Sequence, residues 1–386
     1  MSSNYLYARI ALEMSREEIK YWVGFSLVPG IGRVKFGQLE SYFKSLENAW
    51  QAAPAELRQA GLDSGAIRAI TSWRPKVSLE AEMEKLERYG VKVFTCHDDG
   101  YPSRLKEIYD YPPVLYVRGS LLPEDEWSLA VVGTRRASVY GRQVTEEIVA
   151  DLARSKITVV SGLAKGIDSV AHRTALAAGG RSLAVFGCGL DIVYPAENVE
   201  MARRIMQQGA LISEYPLGTR PRADNFPRRN RIMSGICLGV LVVEAGESSG
   251  AMITAHLALE QNREVFAIPG SILSPASRGT NQLIQEGAKL VRSYTDILEE
   301  LNLTAVAQQI EMKEIIPPSD TESLLLKQLG AEPAHIDEVC RSSGLPISTV
   351  SSTLAMMELK GMVRQVGAMN YILARETREE YGVKAE

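Results

Sequence analysis

The loop Gly133-Thr134-Arg135-Arg136 holds the first group of residues whose types suit the binding of an anion. It follows the apolar run Leu129–Val132 and precedes a helical pattern that begins near Tyr140. Glycine lets the backbone approach a phosphate closely, a helix N-terminus supplies N–H donors, and arginine presents a planar fork of donors. The pattern predicts an anion site, and the alternative is a surface loop with two solvated arginines.

A second loop of small residues, Ser161-Gly162-Leu163-Ala164-Lys165, also lies between an apolar run and a helical pattern. Lys165 suits a phosphate as a point charge, and Asp168 suits a cap of the following helix. The loop matches neither the G-x-x-x-x-G-K-[ST] phosphate loop nor the G-x-G-x-x-G dinucleotide fingerprint. His172, one turn further on, is typical of a structural, hydrogen-bonding histidine.

Residues 215–231 are strongly basic, and an aromatic residue, Phe226, lies among the charges. Five arginines against one aspartate give this stretch a net charge of +4. The charged residues are Arg220, Arg222, Asp224, Arg228, Arg229 and Arg231. Such a run suits single-stranded nucleic acid, because arginine neutralises phosphate and an aromatic ring stacks on a base for roughly 1–3 kcal/mol. The alternatives are a solvated charged loop and arginines that carboxylates fix inside the structure.

The segment Gly246–Gly250 fits the G-x-S-x-G pattern of a hydrolase nucleophile. His256 lies eight residues beyond Ser248 on the same predicted helix, about 12 Å away, and His335 belongs to the terminal part of the chain. A turn whose serines cap a helix is therefore favoured, and we predict no catalytic residues.

The four cysteines and four histidines are scattered, so no metal site or other cofactor is predicted, and the cysteines are expected as buried free thiols.

Short apolar runs alternate with amphipathic helical patterns from about residue 90 to residue 300. The runs are Val91–Thr95, Leu129–Val132, Thr158–Val160, Ser182–Phe186, Ala210–Ile212, Gly239–Val243 and Val265–Ile268. Continuous β-branched runs are typical of strands that are covered on both faces. We therefore predict an α/β fold with an extended Rossmann-like, doubly wound sheet, which gathers ligands at the carboxyl ends of its strands.

The chain ends predict two smaller domains. Pro29-Gly30-Ile31-Gly32 joins two helical patterns, which is typical either of a phosphate-binding helix-hairpin-helix or of a tight turn in a helical bundle. After a linker with two prolines, a helix–turn–helix followed by a hairpin around Gly367 is typical of a winged helix. We predict a helical SAM/helix-hairpin-helix-like domain over 1–80, the Rossmann-like domain over 85–301, a linker over 302–319 and a winged-helix-like domain over 320–386.

The net charge of −4, from 43 Lys and Arg against 47 Asp and Glu, argues against a uniformly basic nucleic-acid binder. Residues 311–386 alone carry −4, and Lys360 is the one basic residue of the predicted recognition helix, residues 348–360. A protein-contact role therefore fits the winged helix better than duplex binding. The longest apolar stretch, residues 236–243, is far below the roughly 20 residues that cross a bilayer, and the N-terminus carries charges where a signal peptide needs an apolar run. No membrane association is predicted.

Seven motifs in order resemble the DprA/Smf family, the DNA-processing proteins of natural transformation. They are VVGTRRASVYG, SGLAKGIDSVAH, FGCGLDIVYPAEN, SEYPLG, FPRRNRIMSG, VVEAGESSGAMIT and AIPGSILSPASRGTNQLIQEGA. With the outer domains the resemblance covers nearly the whole chain. It implies a cytoplasmic, non-enzymatic protein that binds single-stranded DNA (ssDNA), protects incoming strands and helps load the RecA recombinase. It further implies a homodimer formed through the Rossmann-like domain, with a surface that includes parts of 265–290.

The resemblance also implies which residues contact DNA. They include Arg135, Phe226 and the block Arg229-Asn230-Arg231, while Arg181 stands where family members can carry a basic contact. With the strand-end residues, the complete predicted ssDNA site is Gly133, Thr134, Arg135, Arg136, Ser161, Gly162, Lys165, Arg181, Phe226, Arg228, Arg229, Asn230 and Arg231.

The same fold resembles the lysine-decarboxylase-like nucleotide phosphoribohydrolases. Those enzymes carry a P-G-G-x-G-T-x-x-E loop after the strand that corresponds to Gly239–Val243. Here the loop is Glu244–Thr254, without the paired glycines and without the glutamate of the T-x-x-E step. A nucleotide-processing enzyme is thus the alternative function, and this loop argues against it.

Overall fold

The computed structural model describes residues 18–303, 320–329, 333–359, 362–366 and 369–373. The chain divides into two compact units, one up to Leu301 and one from Asn302. The predicted linker lies outside the described residues apart from 302 and 303, and so do Gly367 and Lys360.

The first unit is built on a nine-stranded sheet. Its strands are β1 (Val91–Thr95), β2 (Val114–Gly119), β3 (Ser128–Val132), β4 (Thr158–Ser161), β5 (Ser182–Phe186), β6 (Gly209–Ser213), β7 (Gly239–Val242), β8 (Glu264–Ala267) and β9 (Lys289–Leu290). The spatial order is β1-β2-β6-β5-β4-β3-β7-β8-β9. The seven strands from β6 to β9 are parallel, whereas β2 pairs antiparallel with both β1 and β6. All seven predicted strands are present, and the sequence reading missed β2 and β9.

Helices cover both faces of the sheet. Those that follow its strands are α7 (Ser103–Glu107), α8 (Val139–Arg154), α9 (Ile167–Ala177), α10 (Val199–Gln208), α11 (Asn225–Ile236), α12 (Gly250–Glu260), α13 (Arg278–Gln285) and α14 (Tyr294–Glu300). Alternate residues of β5 enter different cores, since Ala184 and Phe186 pack on one face and Leu183 and Val185 on the other. Burial on both faces explains the continuous apolar runs. The predicted α/β doubly wound sheet is confirmed.

The chain reverses its direction of travel across the sheet between β3 and β7. From β3 it adds β4, β5 and β6 on one side, and then it crosses to place β7 on the other side of β3. The loops that leave the carboxyl ends of β3 and β7 therefore diverge, and such a switch point opens a crevice for a ligand. The sheet topology places the candidate site at this crevice.

A helical region precedes the sheet and shares a core with it. Its helices are α1 (residues 18–27), α2 (Arg33–Phe43), α3 (Leu46–Gln51), α4 (Pro54–Gln59), α5 (Ser64–Trp73) and α6 (Leu79–Arg88). Phe25 is fully buried, and its ring meets the Trp50 ring edge-on at 5.0 Å. The hydroxyls of Ser26 and Tyr116 lie 2.6 Å apart, which ties α1 to β2. The Pro29–Gly32 turn links α1 and α2 with Gly30 at a φ of 79°, and phosphate binding there stays a prediction.

The second unit has the predicted helices and hairpin strands. Its elements are α15 (Asp320–Leu326), β10 (Ala334–His335), α16 (Ile336–Ser343), α17 (Ile347–Leu359), β11 (Val363–Gln365) and β12 (Asn370–Leu373). The strands form a small sheet in the order β10-β12-β11. Gly344 ends α16 with a φ of 70°, a left-handed conformation that glycine adopts without strain. The helix–turn–helix with a β-hairpin agrees with the winged-helix prediction.

Two further expectations concern the cysteines and the membrane. All four cysteines are free, with Cys188 and Cys237 buried and the other two half-buried. Burial raises the pKa of the Cys188 thiol to about 11 and that of Cys237 to about 12, so both are protonated at neutral pH. Within the part of the chain that the structure describes, every helix is too short or too polar to cross a membrane.

Candidate nucleic-acid interface

A groove of about 780 Å³ opens at the switch point of the sheet. Its walls are the loop after β3, the loop after β7 and the first turn of α11. Residues that face it include Thr134, Arg135, Phe226, Ser249 and Thr254. The loop that was predicted to bind an anion and the aromatic residue of the basic stretch therefore lie in one groove, although about 90 residues separate them in the chain.

Glu244 fixes the loop after β3. Its carboxylate is buried and accepts hydrogen bonds from the Ser138 amide at 3.0 Å and from the Ser138 hydroxyl at 2.6 Å. Ser138 in turn caps α8 by accepting from the Gly141 amide at 3.0 Å. The N-terminus of α8, where anions are favoured, is thus already occupied by a carboxylate of the protein itself.

The cations at this loop are arginine side chains on its outer surface. The side chains of Arg135 and Arg136 are exposed and have no hydrogen-bond or ion-pair partner among the described residues. The loop can run this close to α9 because residue 133 is glycine. A Cβ there would lie 2.6 Å from Ile167 Cγ1 and 3.0 Å from the Glu244 carbonyl oxygen. Two guanidinium groups therefore remain free to neutralise phosphates.

The loop after β4 is mainly structural. Ser161 is buried and donates to the Val131 carbonyl at 2.7 Å. Asp168 is buried in the first turn of α9, where Oδ2 accepts from the amides of Gly162 at 3.1 Å and Ala164 at 3.3 Å. Burial raises the pKa of Asp168, while nearby Arg229 works in the opposite direction. Ser161 and Gly162, both predicted to contact DNA, lie beneath the surface instead.

Arg229 is buried and holds the ends of two strands together. Its Nη1 donates to the Gly162 carbonyl at 2.8 Å and also to the Val185 carbonyl, and its Nε donates to Asn230 Oδ1 at 3.1 Å. Glycine at residue 162 leaves room for this guanidinium, because a Cβ there would displace it from its present position. Burial lowers the pKa of Arg229 to about 10, which leaves it charged at neutral pH. Its Nη1 and Nε are therefore used inside the protein.

Arg231 is also engaged inside the structure. Its guanidinium donates to both carboxylate oxygens of Glu214, at 3.1 and 2.7 Å, and its Nε lies 3.0 Å from Asp110 Oδ2. Only 14% of the side chain is exposed. The alternative that carboxylates fix some of these arginines is confirmed for Arg231, whereas Arg228, three residues earlier, is exposed.

Phe226 forms an aromatic pair with Tyr194 at the edge of the groove. The ring centroids are 5.5 Å apart at 33°, and 48% of Tyr194 is exposed. Gly187, which follows β5, makes room for the Phe226 ring, since a Cβ there would lie 2.9 Å from Phe226 Cδ1. The pair presents a half-exposed aromatic surface next to the free arginines.

Arg181 lies elsewhere. It precedes β5, so it belongs to the amino end of a strand whose carboxyl end borders the groove. A five-residue strand spans roughly 16 Å. Its guanidinium forms a bidentate pair with Asp125, with both hydrogen bonds at 2.8 Å, and a third bond to the Ser120 carbonyl. The structure does not bring Arg181 together with the other predicted contacts.

Comparison with known proteins agrees with the geometry. A sequence model of the family described as DNA recombination-mediator protein A matches residues 92–302, and one of the DprA winged helix domain matches residues 312–369. The chain belongs to the DprA/Smf family. Protein Smf of Synechocystis is 35% identical over 93% of this chain and 99% of its own length, and Protein Smf of Escherichia coli is 40% identical over 80% and 84%. The X-ray structure of DprA from Streptococcus pneumoniae, 35% identical, superposes with a TM-score of 0.64 and covers 73% of this chain and 97% of that one.

In this DprA/Smf chain the predicted contacts separate into three groups. Gly133, Thr134, Arg135, Arg136, Phe226 and Arg228 lie at or beside the groove, with Lys165 next to Arg135. Ser161, Gly162, Arg229, Asn230 and Arg231 are buried or engaged in internal bonds, although Arg229 and Asn230 also line the floor of the groove. Arg181 alone lies at the other end of the strands. Whether each one touches DNA stays a prediction.

The predicted site omits three side chains that lie next to the groove. Tyr194 belongs to the loop that follows β5, which the sequence indicates only weakly as a ligand loop, and tyrosine suits stacking. Arg142 and Arg173 border a second pocket of about 370 Å³ together with Arg135, Arg136 and Lys165. Lys165 pairs there with Glu197 at 2.5 Å. The two missed arginines belong to helices α8 and α9 and not to strand-end loops, so strand-end patterns could not indicate them.

The groove is poorly equipped for hydrolysis. Ser249 accepts from the Ala251 amide and thus caps α12, as predicted, and His256 is exposed on that helix. His172 is fully buried with Nδ1 2.7 Å from the Ser182 hydroxyl, and burial lowers its pKa to about 3. Among the described residues that line the groove, Asp168 is the single carboxylate, and two amides occupy it.

Neighbouring arginines in α11 should respond differently to removal. Arg229→Ala leaves two buried carbonyl groups, those of Gly162 and Val185, without their hydrogen-bond donor. We therefore expect it to lower the free energy of unfolding by about 3 kcal/mol. Arg228→Ala, the matched exposed change, should alter it by less than about 0.5 kcal/mol. Urea unfolding of both variants checks this, and equal stabilities would contradict the structural role of Arg229.

Proposed function

We propose that this DprA/Smf chain binds ssDNA with little sequence preference in the groove at the switch point. One observation carries the proposal: the Phe226–Tyr194 pair lines the same groove as Arg135 and Arg136, whose side chains have no partner among the described residues. Side-chain cations attract phosphates, and an exposed aromatic surface stacks on a base of any type. Stacking on a ring requires an unpaired base, and this favours a single strand over a duplex.

The charge distribution supports the same function. The whole chain carries −4, yet the pocket beside the groove is bordered by Arg135, Arg136, Arg142, Lys165 and Arg173 against Glu197 alone. Such a local concentration of positive charge attracts a polyanion without making the whole surface basic. The cations at the surface, and not buried Arg229 and Arg231, are proposed to meet the phosphates.

The salt dependence of binding tests the two free arginines. For single strands the slope of log K against log salt is about −0.7 per neutralised phosphate, so the double variant Arg135→Ala/Arg136→Ala should lose about 1.4 of slope. Fluorescence anisotropy with an oligothymidylate at several salt concentrations measures it. Arg154→Ala is the control, because that exposed arginine belongs to the C-terminal turn of α8. A wild-type slope in the double variant would exclude Arg135 and Arg136 from phosphate binding.

Substitution of Phe226 tests the stacking. Phe226→Ala should weaken ssDNA binding by roughly 5- to 150-fold, which corresponds to the 1–3 kcal/mol of a stacked base. Phe226→Leu keeps the apolar volume without the ring and should weaken it to a similar extent. Gel shifts on ssDNA and on duplex of the same sequence give the affinities. If the leucine variant binds as tightly as the wild type, the contact is apolar packing and not stacking.

We further propose that the chain acts by binding and carries out no reaction of its own. The commitment of Asp168 and Glu244 to backbone and hydroxyl donors supports this. The alternative, a phosphoribohydrolase-like enzyme, would release free base from nucleoside monophosphates. Chromatography of such an incubation distinguishes the two functions.

A homodimer through the Rossmann-like unit is part of the proposal. Ile272 and Leu273, in the loop after β8, are 84% and 86% exposed, and neighbouring Val139 is 71% exposed. The Tyr140 hydroxyl donates to the Pro269 carbonyl at 2.8 Å, so the start of this loop lies against the start of α8, and we propose that their exposed apolar side chains form one patch. Exposed patches of this kind commonly mark protein interfaces.

Charges introduced into this patch should separate the dimer. Ile272→Asp/Leu273→Asp should have a light-scattering mass near the 42.4 kDa of one chain, whereas the wild type and the control Ser271→Asp should have twice that mass. A wild-type mass in the double variant would place the interface elsewhere.

The remaining parts of the proposal rest on the family resemblance. They are action in the cytoplasm on strands taken up during natural transformation, and the loading of RecA onto them. Capture of purified RecA by the immobilised chain in the presence of ssDNA measures this partnership.

A further inference from the structure

A second cleft, of about 900 Å³, adjoins the switch-point groove. It lies between the Pro29–Gly32 turn, the segment from Tyr109 to Pro113 and the start of α11. Pro227 and Ile253 border both cavities. The groove and the cleft are therefore neighbours on the surface, with Pro227 and Ile253 at their common border.

Tyr109 is the outstanding side chain of this cleft. It is 82% exposed, although a large aromatic ring in water forgoes the free energy of burial. The Arg33 guanidinium holds it in place, with Cζ 5.4 Å from the Tyr109 ring centroid and 4.4 Å from that of Tyr111. Arg33 also donates to the Tyr109 carbonyl. These contacts order the backbone at Tyr109 and place a cation over its ring before any ligand arrives, which reduces the entropy that binding must lose.

The electrostatics of the cleft suit an anionic ligand. Its two carboxylates, Asp110 and Glu214, both pair with Arg231. Arg33 and Arg228 remain as cations at its border. The side chain of Arg228 has no partner among the described residues.

Helix α11 sets the direction from one aromatic site to the other. Phe226 lies in its first turn, and Arg231 follows five residues later, a rise of roughly 7.5 Å. Arg231 contacts Asp110, which is the neighbour of Tyr109 in the chain. Arg228 borders the cleft and not the groove, because residues two apart on a helix point in nearly opposite directions. The cleft thus joins a cation to the aromatic ring of Tyr109, which is the combination that binds ssDNA.

We infer that Tyr109 is a second base-stacking subsite, and that ssDNA runs from the Phe226 groove over Arg228 into the Tyr109 cleft. This inference rests on the proposed ssDNA binding at Phe226. The Pro29–Gly32 turn of the helical region forms one side of this second subsite, so the proposed site extends beyond the Rossmann-like part of the chain.

Oligonucleotides of different lengths test the two subsites separately, because a short one reaches only the first subsite. We would measure the affinity of the full chain for oligothymidylates of about 4 and about 16 nucleotides, the range of site sizes of single ssDNA-binding folds. Tyr109→Ala should weaken the binding of the longer oligonucleotide by about 10-fold and leave the shorter one unchanged. Tyr109→Phe, which keeps the ring, should restore it. Tyr89→Ala is the matched control, because it removes an exposed tyrosine that borders neither cavity.

Each other outcome is decisive. Wild-type affinity of Tyr109→Ala for the longer oligonucleotide overturns the second subsite, and so does an equal loss for both lengths. If Phe226→Ala still weakens both lengths in that case, the proposed function survives and only the extension fails. If the wild-type chain binds neither oligonucleotide, the proposed function itself fails. Thermal unfolding confirms that each variant is folded.

Discussion

The buried guanidinium of Arg229 is the interaction on which the candidate site depends. It joins the carboxyl ends of β4 and β5 through two carbonyls, and Asp168 provides a nearby negative charge that also orders the loop after β4. A buried charge is tolerated only where hydrogen bonds and opposite charge satisfy it. Because Nη1 and Nε are used internally, α11 is anchored, and the ring of Phe226 is positioned at the border of the groove.

The arginines near the groove therefore fall into two groups, those that stabilise the fold and those that remain exposed at the surface. Arg229 and Arg231 hold α11 against the sheet and against Glu214 and Asp110, while Arg135, Arg136 and Arg228 remain at the surface. The rigid elements position the aromatic rings, and the exposed arginines are the cations proposed to attract phosphate. Separation of these tasks lets a chain with a net negative charge present a strongly basic groove.

The sequence predicted the sheet well, because apolar runs buried on both faces have a distinctive pattern. It also placed Arg135 and Phe226 correctly near one groove, since strand ends converge. It could not distinguish Arg228 from Arg229, because successive residues of a helix differ by about 100° in direction and only tertiary packing decides which one points inward. The sequence could have predicted that Arg181 lies away from the site. A residue that precedes a parallel strand lies at the opposite edge of the sheet from a residue that follows one. Tyr109 precedes two prolines without any regular pattern, and its fixation by Arg33 is visible only in three dimensions.

The carboxylate of Glu244 at the start of α8 has a consequence for the way a strand is held. A helix N-terminus that is open to solvent would bind one phosphate at a fixed point and would therefore fix the register of the bound strand. Here Ser138 and Glu244 fill that end, so in the proposed function the phosphates meet long arginine side chains that can adopt several rotamers. Binding of this kind imposes no fixed register on the strand.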